Sequence, residues 1–354
     1  MESQFKQDRA NFRNAEGLHR LNAMTTLPQR VDEFQDTESQ SSVDAKFSDP
    51  DYTIDGSPRA QVPLSRPTTL WFNTGTLCNI ACENCYIRSS PFNDRLVYIS
   101  SSEVEDFLDQ IVERGWPIQE IGLTGGEPFM NPDIILTMDM SLRRGYRLLV
   151  LTNAMKPMMR PRIQEGLLTL QRTFGKQLQL RISLDHYTEG RHDAVRGAGT
   201  FRVTLKGMDW LQENGFSISV AGRRLWKESE HAARLGFARL FRERSYRIDA
   251  HDAAQTVLFP EMDEFEDVPE VSEGCWSELN KRPQDMMCSS SRMVVKRKGA
   301  DRPAVLACTL IPYDQRFELG RTLKDAECTV SLNHPHCTQF CVLGGASCSP
   351  GNQA

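Results

Sequence analysis

The sequence predicts an α/β protein, with an open barrel of about six strand–helix units followed by a small cysteine-rich C-terminal domain. From residue 68 onward, short apolar runs alternate with amphipathic segments, which indicates parallel strands joined by crossover helices. About six such units are visible, fewer than a closed eightfold barrel needs. Seven of the 10 cysteines lie beyond residue 270. We therefore expect an N-terminal arm (1–65), a barrel (66–255) and a cysteine-rich domain (256–354).

The barrel strands are predicted from apolar runs bounded by turn residues. They are expected at Thr69–Asn73, Ile118–Leu123, Leu148–Asn153, Leu178–Asp185 and Phe216–Ala221, with a sixth at either Tyr246–Asp252 or Thr256–Phe259. Helices are predicted from the 3.6-residue period and from capping signals. They are expected from Ser101 onward, from Asn131 to about Arg144, and over Arg160–Phe174, Thr200–Asn214 and Ser229–Arg244. Binding sites in such sheets lie at the carboxyl ends of the strands.

Composition excludes several classes of protein. The chain has 354 residues and a formal net charge of −5, which argues against broad nucleic-acid binding. It contains no run of 18 apolar residues, and Met1–Arg9 is polar, so we expect neither a membrane span nor a secretory signal. These features predict a cytoplasmic protein. The polar composition of residues 1–65 predicts a largely disordered arm, in which Asn14–Met24 is compatible with a short helix.

A cysteine loop follows the first predicted strand. Cys78, Cys82 and Cys85 have the spacing C-x3-C-x2-C. Thiolates are the usual ligands of iron–sulfur clusters, and three of them leave one iron of a four-iron cluster without a protein ligand. That iron is open to a small molecule that binds through nitrogen and oxygen. The alternatives are a zinc site that lacks its fourth ligand, or three unrelated buried thiols.

A second motif, Leu123-Thr124-Gly125-Gly126-Glu127-Pro128, ends the next predicted strand. Paired glycines let the backbone approach a ligand closely, and Glu127 offers an acceptor to an ammonium group. A cysteine loop followed by Gly-Gly-Glu-Pro resembles the radical S-adenosylmethionine (radical SAM) enzymes. The resemblance covers roughly Pro67 to Ala254, and a weaker one extends to the C-terminus.

The resemblance implies a cofactor site. In that family the three cysteines hold a [4Fe–4S] cluster whose open iron binds S-adenosylmethionine, and reductive cleavage gives a 5′-deoxyadenosyl radical that abstracts a hydrogen atom from the substrate. Residues that match the family's cofactor-binding positions are Gly125, Gly126, Glu127, Asn153, Ser183 and Arg196. One departure is Asn84, which stands where the family usually has an aromatic residue beside the adenine. Tyr86, on the other side of Cys85, is the candidate to replace it.

The C-terminal cysteines predict a further site. A hairpin is expected from Arg292–Lys296 and Ala304–Ala307, with Cys288 and Cys308 at its ends. This region resembles the auxiliary-cluster (SPASM/twitch-like) extension of one radical SAM branch, although its cysteine spacing is looser. The resemblance implies an auxiliary [4Fe–4S] cluster with ligands drawn from Cys288, Cys308, Cys337, Cys341 and Cys348. The alternatives are a zinc site that uses His334 and His336, or inert thiols.

The expected function is that of a radical SAM oxidoreductase. Because no folded N-terminal recognition domain is visible, a small molecule such as a sugar or aminocyclitol is the first expectation, ahead of a peptide. The alternatives are an enzyme that matures ribosomally made peptides, a radical epimerase, and a non-enzymatic iron–sulfur carrier or sensor. The electron donor is expected to be a flavodoxin or ferredoxin. Asp185-His186 is a candidate acid/base pair, although a histidine at a strand end is often merely paired with a neighbour.

Overall fold

The computed structural model describes residues 46–225, 227–263 and 265–345. The helix considered for Asn14–Met24 lies outside these residues, as does Cys348.

Parallel strands form the centre of the molecule, as predicted. The strands are β1 (Gln61–Val62), β2 (Thr69–Asn73), β3 (Glu120–Thr124), β4 (Arg147–Thr152), β5 (Leu178–Ser183), β6 (Ser217–Arg224), β7 (Thr256–Pro260), β8 (Ser291–Val295), β9 (Ala304–Leu306), β10 (Glu318–Gly320) and β11 (Val330–Ser331). Nine of them form one sheet in the order β10-β9-β8-β2-β3-β4-β5-β6-β7. The six strands β2 to β7 pair in parallel and in chain order, which confirms the predicted partial barrel.

Among the residues that the structure describes, six helices connect the barrel strands, and a short seventh one follows the last of them. They are α1 (Ser101–Arg114), α2 (Ile134–Arg143), α3 (Pro161–Phe174), α4 (Glu189–Arg196), α5 (Thr200–Glu213), α6 (Glu230–Glu243) and the short α7 (Cys275–Glu278). A capping box between Ser100 and Glu103 begins α1, since each side chain accepts a hydrogen bond from the other's backbone N–H. The helix α4 was not predicted, because its eight residues are mostly charged and show little apolar period.

Alternation along the strands separates two cores. On β2, Leu70 and Phe72 point outward and pack beneath the helices. Trp71 points inward and packs with Met293 and other residues of the C-terminal part. The ring of Trp71 lies over Gly122, where a Cβ atom would approach Cε3 to 2.2 Å, so that position admits glycine alone. The inner core therefore connects the barrel to the cysteine-rich region.

The C-terminal hairpin extends the barrel sheet. Strands β8 and β9 pair antiparallel, as predicted, and β8 also pairs in parallel with β2. The sixth barrel strand, β7, takes the second of the two expected positions and begins just after residue 255. The barrel therefore uses one strand from the range assigned to the C-terminal domain, and the boundary between the two parts stays a prediction.

Residues 46–65, at the end of the predicted arm, pack against the C-terminal part of the chain. Phe47 is 3 % exposed, and β1 pairs antiparallel with β11. Arg59 and Glu270, both nearly inaccessible, form an ion pair at 2.6 Å. The composition of residues 46–65 by itself indicates disorder. It carries no sign of these partners, because they lie more than 200 residues away in the sequence.

Candidate active site and auxiliary thiol cavity

A cavity opens at the carboxyl ends of the barrel strands. Its wall contains most of the residues predicted for the cofactor site, namely Cys78, Cys82, Cys85, Tyr86, Gly125, Gly126, Asn153, Ser183 and Arg196. These residues lie at or beyond the ends of four different strands, β2 to β5, yet the parallel sheet brings them to one edge.

The cysteine loop is held by backbone hydrogen bonds to distant segments. The N–H of Cys78 donates to the carbonyl of Ser90 (3.1 Å), and that of Glu83 donates to the carbonyl of Val195 (2.8 Å). Burial raises the pKa of the Cys78 thiol to about 12, and burial also raises that of Cys82. Three thiols on one cavity wall, of which Cys78 is buried and the other two are partly buried, suit a metal cluster, because bound iron replaces the protons that burial otherwise retains.

The two glycines of the second motif allow close contact with the cysteine loop. Gly125 has φ +144°, and a Cβ atom there would lie 2.6 Å from the carbonyl oxygen of Gly75. A Cβ atom on Gly126 would lie 2.2 Å from the carbonyl oxygen of Leu77. The glycine N–H groups make this contact directly, since Gly126 donates to the Gly75 carbonyl at 2.7 Å. The pair therefore leaves a bare backbone edge on the cavity wall, which suits an amino group.

Glu127 lies beneath the cavity and does not line it. Its carboxylate accepts hydrogen bonds from the Thr152 hydroxyl (2.8 Å), the Asn153 N–H (2.9 Å) and the Phe129 N–H (3.2 Å). Burial raises its pKa to about 7, although the three hydrogen bonds favour the carboxylate. The carboxylate therefore orients Asn153 from behind the cavity wall, and its expected role as an acceptor for the cofactor's ammonium group stays a prediction.

A buried carboxylate joins two guanidinium groups at the cavity. Asp185, just beyond β5, accepts two hydrogen bonds from Arg196, at 2.8 and 3.1 Å. Arg223, at the end of β6, lies 3.8 Å from the same carboxylate. Burial opposes ionisation of Asp185, but the two cations outweigh it and hold its pKa below the usual range. With two cations to one carboxylate, the cluster keeps one positive charge for an anionic group in the cavity.

Tyr86 lies on the cavity wall, where it was expected to replace the missing aromatic residue. Its hydroxyl donates to the Pro260 carbonyl at 3.1 Å, and the guanidinium of Arg223 lies 4.5 Å from its ring centre. Arg223 also donates to the carbonyl of Asn84. These contacts tie the end of the cysteine loop to β6 and β7.

His186 is satisfied by its neighbours. Its Nδ1 accepts from the Thr188 N–H (3.0 Å), so Nε2 carries the proton and donates to Glu228 (3.1 Å). His186 does not line the cavity, whereas Asp185 does. The acid/base pairing of Asp185 with His186 is therefore not supported by the geometry.

Several wall residues were missed by sequence reasoning, among them Thr309, Leu310 and Trp71. Thr309 and Leu310 reach the cavity from the loop after β9, outside the predicted barrel. Trp71 lines it from below, and its indole N–H has no hydrogen-bond partner among the described residues. Only the position of Thr309 and Leu310 directly after Cys308 hinted at a site.

A second cavity contains four of the C-terminal thiols. Cys288, Cys308, Cys337 and Cys341 all line it, together with apolar side chains and His336. Leu310 lines this cavity as well as the first, so it forms part of the wall between them. The remaining described cysteines, Cys275 and Cys328, line neither. Four converging thiols match the donor set of a fully ligated [4Fe–4S] cluster.

The two histidines of the zinc alternative are close together, with ring centres 4.6 Å apart. The Nδ1 of His334 accepts a hydrogen bond from the N–H of His336 at 3.1 Å. Burial lowers the pKa of His334 to about 3. Within the described ranges, no group of three or more His, Cys, Asp or Glu side chains has the geometry to hold a single metal ion.

The fold and the two cavities define a class of protein, and comparisons with known proteins agree. Residues 72–223 match the Radical SAM superfamily. The chain is 28 % identical over 297 residues to the antilisterial bacteriocin subtilosin biosynthesis protein AlbA of Bacillus subtilis, covering 78 % of this chain and 61 % of AlbA. It is 27 % identical over 154 residues to the mycofactocin maturase MftC of Mycobacterium ulcerans, covering 44 % of this chain and 39 % of MftC.

The fold is also similar to a crystal structure of Streptococcus suis SuiB bound to S-adenosylmethionine. The TM-score is 0.51 at 14 % identity, over 72 % of this chain and 63 % of SuiB. The chain thus spans about three fifths of the length of AlbA and of SuiB.

Residues 72–223 form a radical SAM domain, and the relatives that extend beyond it are radical SAM maturases with a C-terminal auxiliary-cluster extension. The superfamily uses a [4Fe–4S] cluster and S-adenosylmethionine, and the relatives with the C-terminal extension carry an auxiliary cluster there. The residues of both cavities fit these groups. None of the described helices combines the length and the apolar composition required to span a membrane.

Proposed function

We propose that the chain is a radical SAM enzyme that modifies a peptide by hydrogen-atom abstraction. The observation that carries this proposal is that three thiols, the Gly125-Gly126 edge and the Asp185–Arg196 pair all line one cavity. When bound there, the cluster and S-adenosylmethionine supply an organic radical that abstracts hydrogen. The protein's part is to hold the cofactor and to exclude water.

Each polar group of the cavity has a role in this proposal. Cys78, Cys82 and Cys85 hold the cluster. The backbone at Gly125-Gly126 accepts the amino group of the cofactor, and Arg196, oriented by Asp185, neutralises its carboxylate. Asn153 and Ser183 lie at the ends of the next two strands, where they suit the ribose hydroxyls.

The peptide substrate is favoured over the small molecule first expected from the sequence. AlbA is named for the biosynthesis of a bacteriocin, and MftC is named as a maturase. In addition, the part of the cavity wall not assigned to the cofactor is mostly apolar, with Trp71, Leu151, Phe259 and Leu310. Such a wall suits an apolar side chain of a peptide better than a polyhydroxylated sugar.

The second cavity supports a role in electron transfer. Its four thiols satisfy all four irons of a cluster, so we propose that the auxiliary cluster accepts an electron from the substrate and does not bind it directly. A flavodoxin or ferredoxin is the proposed donor to the first cluster.

The proposal is tested with anaerobically reconstituted protein, S-adenosylmethionine and dithionite. We expect 5′-deoxyadenosine to form. Cys82→Ala should abolish it, whereas Cys275→Ala should not, because Cys275 lines neither cavity. Cys341→Ala should leave some uncoupled cleavage. Equal cleavage by the Cys82 variant would contradict the assignment.

The reaction type is read from product mass. Candidate substrates are short peptides encoded beside the gene, incubated with the enzyme and analysed by mass spectrometry. Loss of two hydrogens supports oxidation or crosslinking, whereas unchanged mass with one solvent deuterium supports epimerisation. If no neighbouring peptide is altered and a sugar is oxidised, the peptide proposal is wrong.

A further inference from the structure

Arg292, on β8, is a fully buried cation without a carboxylate partner among the described residues. It is 1 % exposed. Its guanidinium donates to the carbonyls of Ala326 (3.0 Å), Cys328 (3.0 Å), Ser291 (2.9 Å) and Cys288 (2.5 Å), all of which are neutral. Burial of a cation without a counter-charge is costly.

Another buried arginine shows how such a charge is usually compensated. Arg59 is equally buried, and it pairs with the carboxylate of Glu270 at 2.6 Å. The ionisable groups that interact electrostatically with Arg292 are instead two thiols, those of Cys288 and Cys328. Within the part of the chain that the structure describes, the candidate counter-charges of this fixed positive charge are therefore cysteine sulfurs.

The placement of Cys288 indicates what the positive charge of Arg292 does. Its thiol lines the auxiliary cavity beside Cys308, Cys337 and Cys341, while its carbonyl accepts from Arg292. As a cluster ligand, Cys288 is a thiolate, and a [4Fe–4S] core with four thiolates carries a net negative charge. Arg292 thus lies directly behind one ligand of an anionic group.

We propose that Arg292 is the counter-charge of the auxiliary cluster and raises its reduction potential. Reduction adds one electron to an anionic cluster, and a nearby positive charge in a water-poor interior stabilises the more negative state. The cluster then accepts an electron more readily. This inference rests on the auxiliary cluster and adds a residue to its proposed role as electron acceptor.

The test is a redox titration of the reconstituted full-length chain, followed by electron paramagnetic resonance. Dithionite supplies the electrons, and S-adenosylmethionine identifies the first cluster, because it perturbs only the cluster with an open iron. Arg292→Met and Arg292→Gln remove the charge, and Gln keeps an amide that donates to the carbonyls. We expect both to lower the midpoint potential of the auxiliary cluster and to leave that of the first cluster unchanged. Arg292→Lys should keep most of the wild-type value.

The matched control is Arg59→Met, which removes a buried arginine that already has a carboxylate partner and should move neither potential. An unchanged auxiliary potential in Arg292→Gln overturns the proposal. A shift in Arg292→Lys as large as that in Arg292→Gln also overturns it, because it would show that packing, and not charge, sets the potential. If the iron content is about four per chain and is unaffected by Cys288→Ala, no auxiliary cluster exists at this cavity and the proposal is wrong. If the enzyme modified no peptide, the measured reduction potentials would be unaffected. The peptide proposal and the Arg292 proposal can therefore fail separately.

Discussion

At the scale of single residues, Asp185 holds the cationic side of the cofactor cavity in place. Replacing it with Asn keeps the shape but leaves Arg196 and Arg223 without a carboxylate. Breaking a buried ion pair leaves a buried charge without its partner. We therefore expect the free energy of unfolding to fall by about 3 kcal/mol. The affinity for S-adenosylmethionine should fall as well, by about tenfold if about 1.4 kcal/mol of binding is lost.

Chemical denaturation and isothermal titration with S-adenosylmethionine measure these two effects. The matched control is Glu189→Gln, which breaks the exposed pair with Arg202. Exposed pairs contribute less than about 1 kcal/mol, so the control should be almost unchanged in both assays. Equal losses in the two variants would contradict a special role for Asp185.

His192 makes stability depend on pH. It is fully buried beside Phe201, neither ring nitrogen has a hydrogen-bond partner among the described residues, and burial lowers its pKa to about 4. The unfolded chain binds a proton near pH 6.5, while the folded chain stays neutral down to about pH 4. Stability should therefore fall as the pH drops below about 6.5, by about 1.4 kcal/mol at pH 5.5.

His192→Phe should remove this dependence, because phenylalanine has no proton to bind. Unfolding free energies of the wild type and the variant at pH 7.5 and 5.5 measure it. The control is His231→Gln, at an exposed position on α6, which should keep the wild-type slope. A slope that His192→Phe leaves intact would assign the effect to other groups.

At the scale of elements, the contact between the cysteine loop and the Gly-Gly turn sets the geometry of the site. In Gly126→Ala, the new methyl group would lie 2.2 Å from the Leu77 carbonyl oxygen, so the loop must move. We expect a loss of about 2 kcal/mol of stability, together with reduced iron retention and weaker binding of S-adenosylmethionine. Iron analysis and denaturation measure these changes.

The control is Gly190→Ala on α4, where nothing lies within 4 Å of the added methyl group. Since alanine favours a helix over glycine by about 1 kcal/mol, this variant should be unchanged or more stable, with full iron content. If Gly126→Ala also kept its iron and its affinity, the close contact would not be required by the site.

At the scale of the whole molecule, the barrel and the C-terminal hairpin should unfold together. Strand β8 pairs with β2 inside the nine-stranded sheet, and Met293 stands opposite Trp71 in a shared core. Met293→Ala should therefore destabilise both parts, by about 3 kcal/mol.

Far-ultraviolet circular dichroism reports mainly on the barrel helices, and thiol reactivity of Cys288 and Cys337 reports on the second cavity. Coincident transitions that shift together in Met293→Ala are expected for a single cooperative unit. Two separate transitions, with only the thiol signal shifted, would show independent domains.

Most of the fold could be predicted from the sequence because its signals are local. Apolar runs such as Thr69–Asn73 are buried on both faces, and turn residues bound them, so each strand is visible without its partners. The site residues followed from the same signals, since strand ends in a parallel sheet meet at one edge.

The features that could not be predicted depend on partners that are distant in the sequence. Thr309 and Leu310 reach the cavity because the hairpin joins the barrel at β2, and residues 46–65 pack against the C-terminal part of the chain because Glu270 and β11 hold them. Glu127 lies in the predicted motif, but only packing shows that its carboxylate faces Thr152 and Asn153 and not the cavity.

The sequence by itself determined the class of fold, the thiols of the first site and the glycines that expose its backbone, because each is encoded by residue type and spacing. The tertiary structure alone decided which four described C-terminal thiols converge, which arginines share Asp185 and which buried cation stands behind Cys288. The physical reason is that long-range packing brings side chains together and buries them, and such contacts produce no periodic pattern in the sequence.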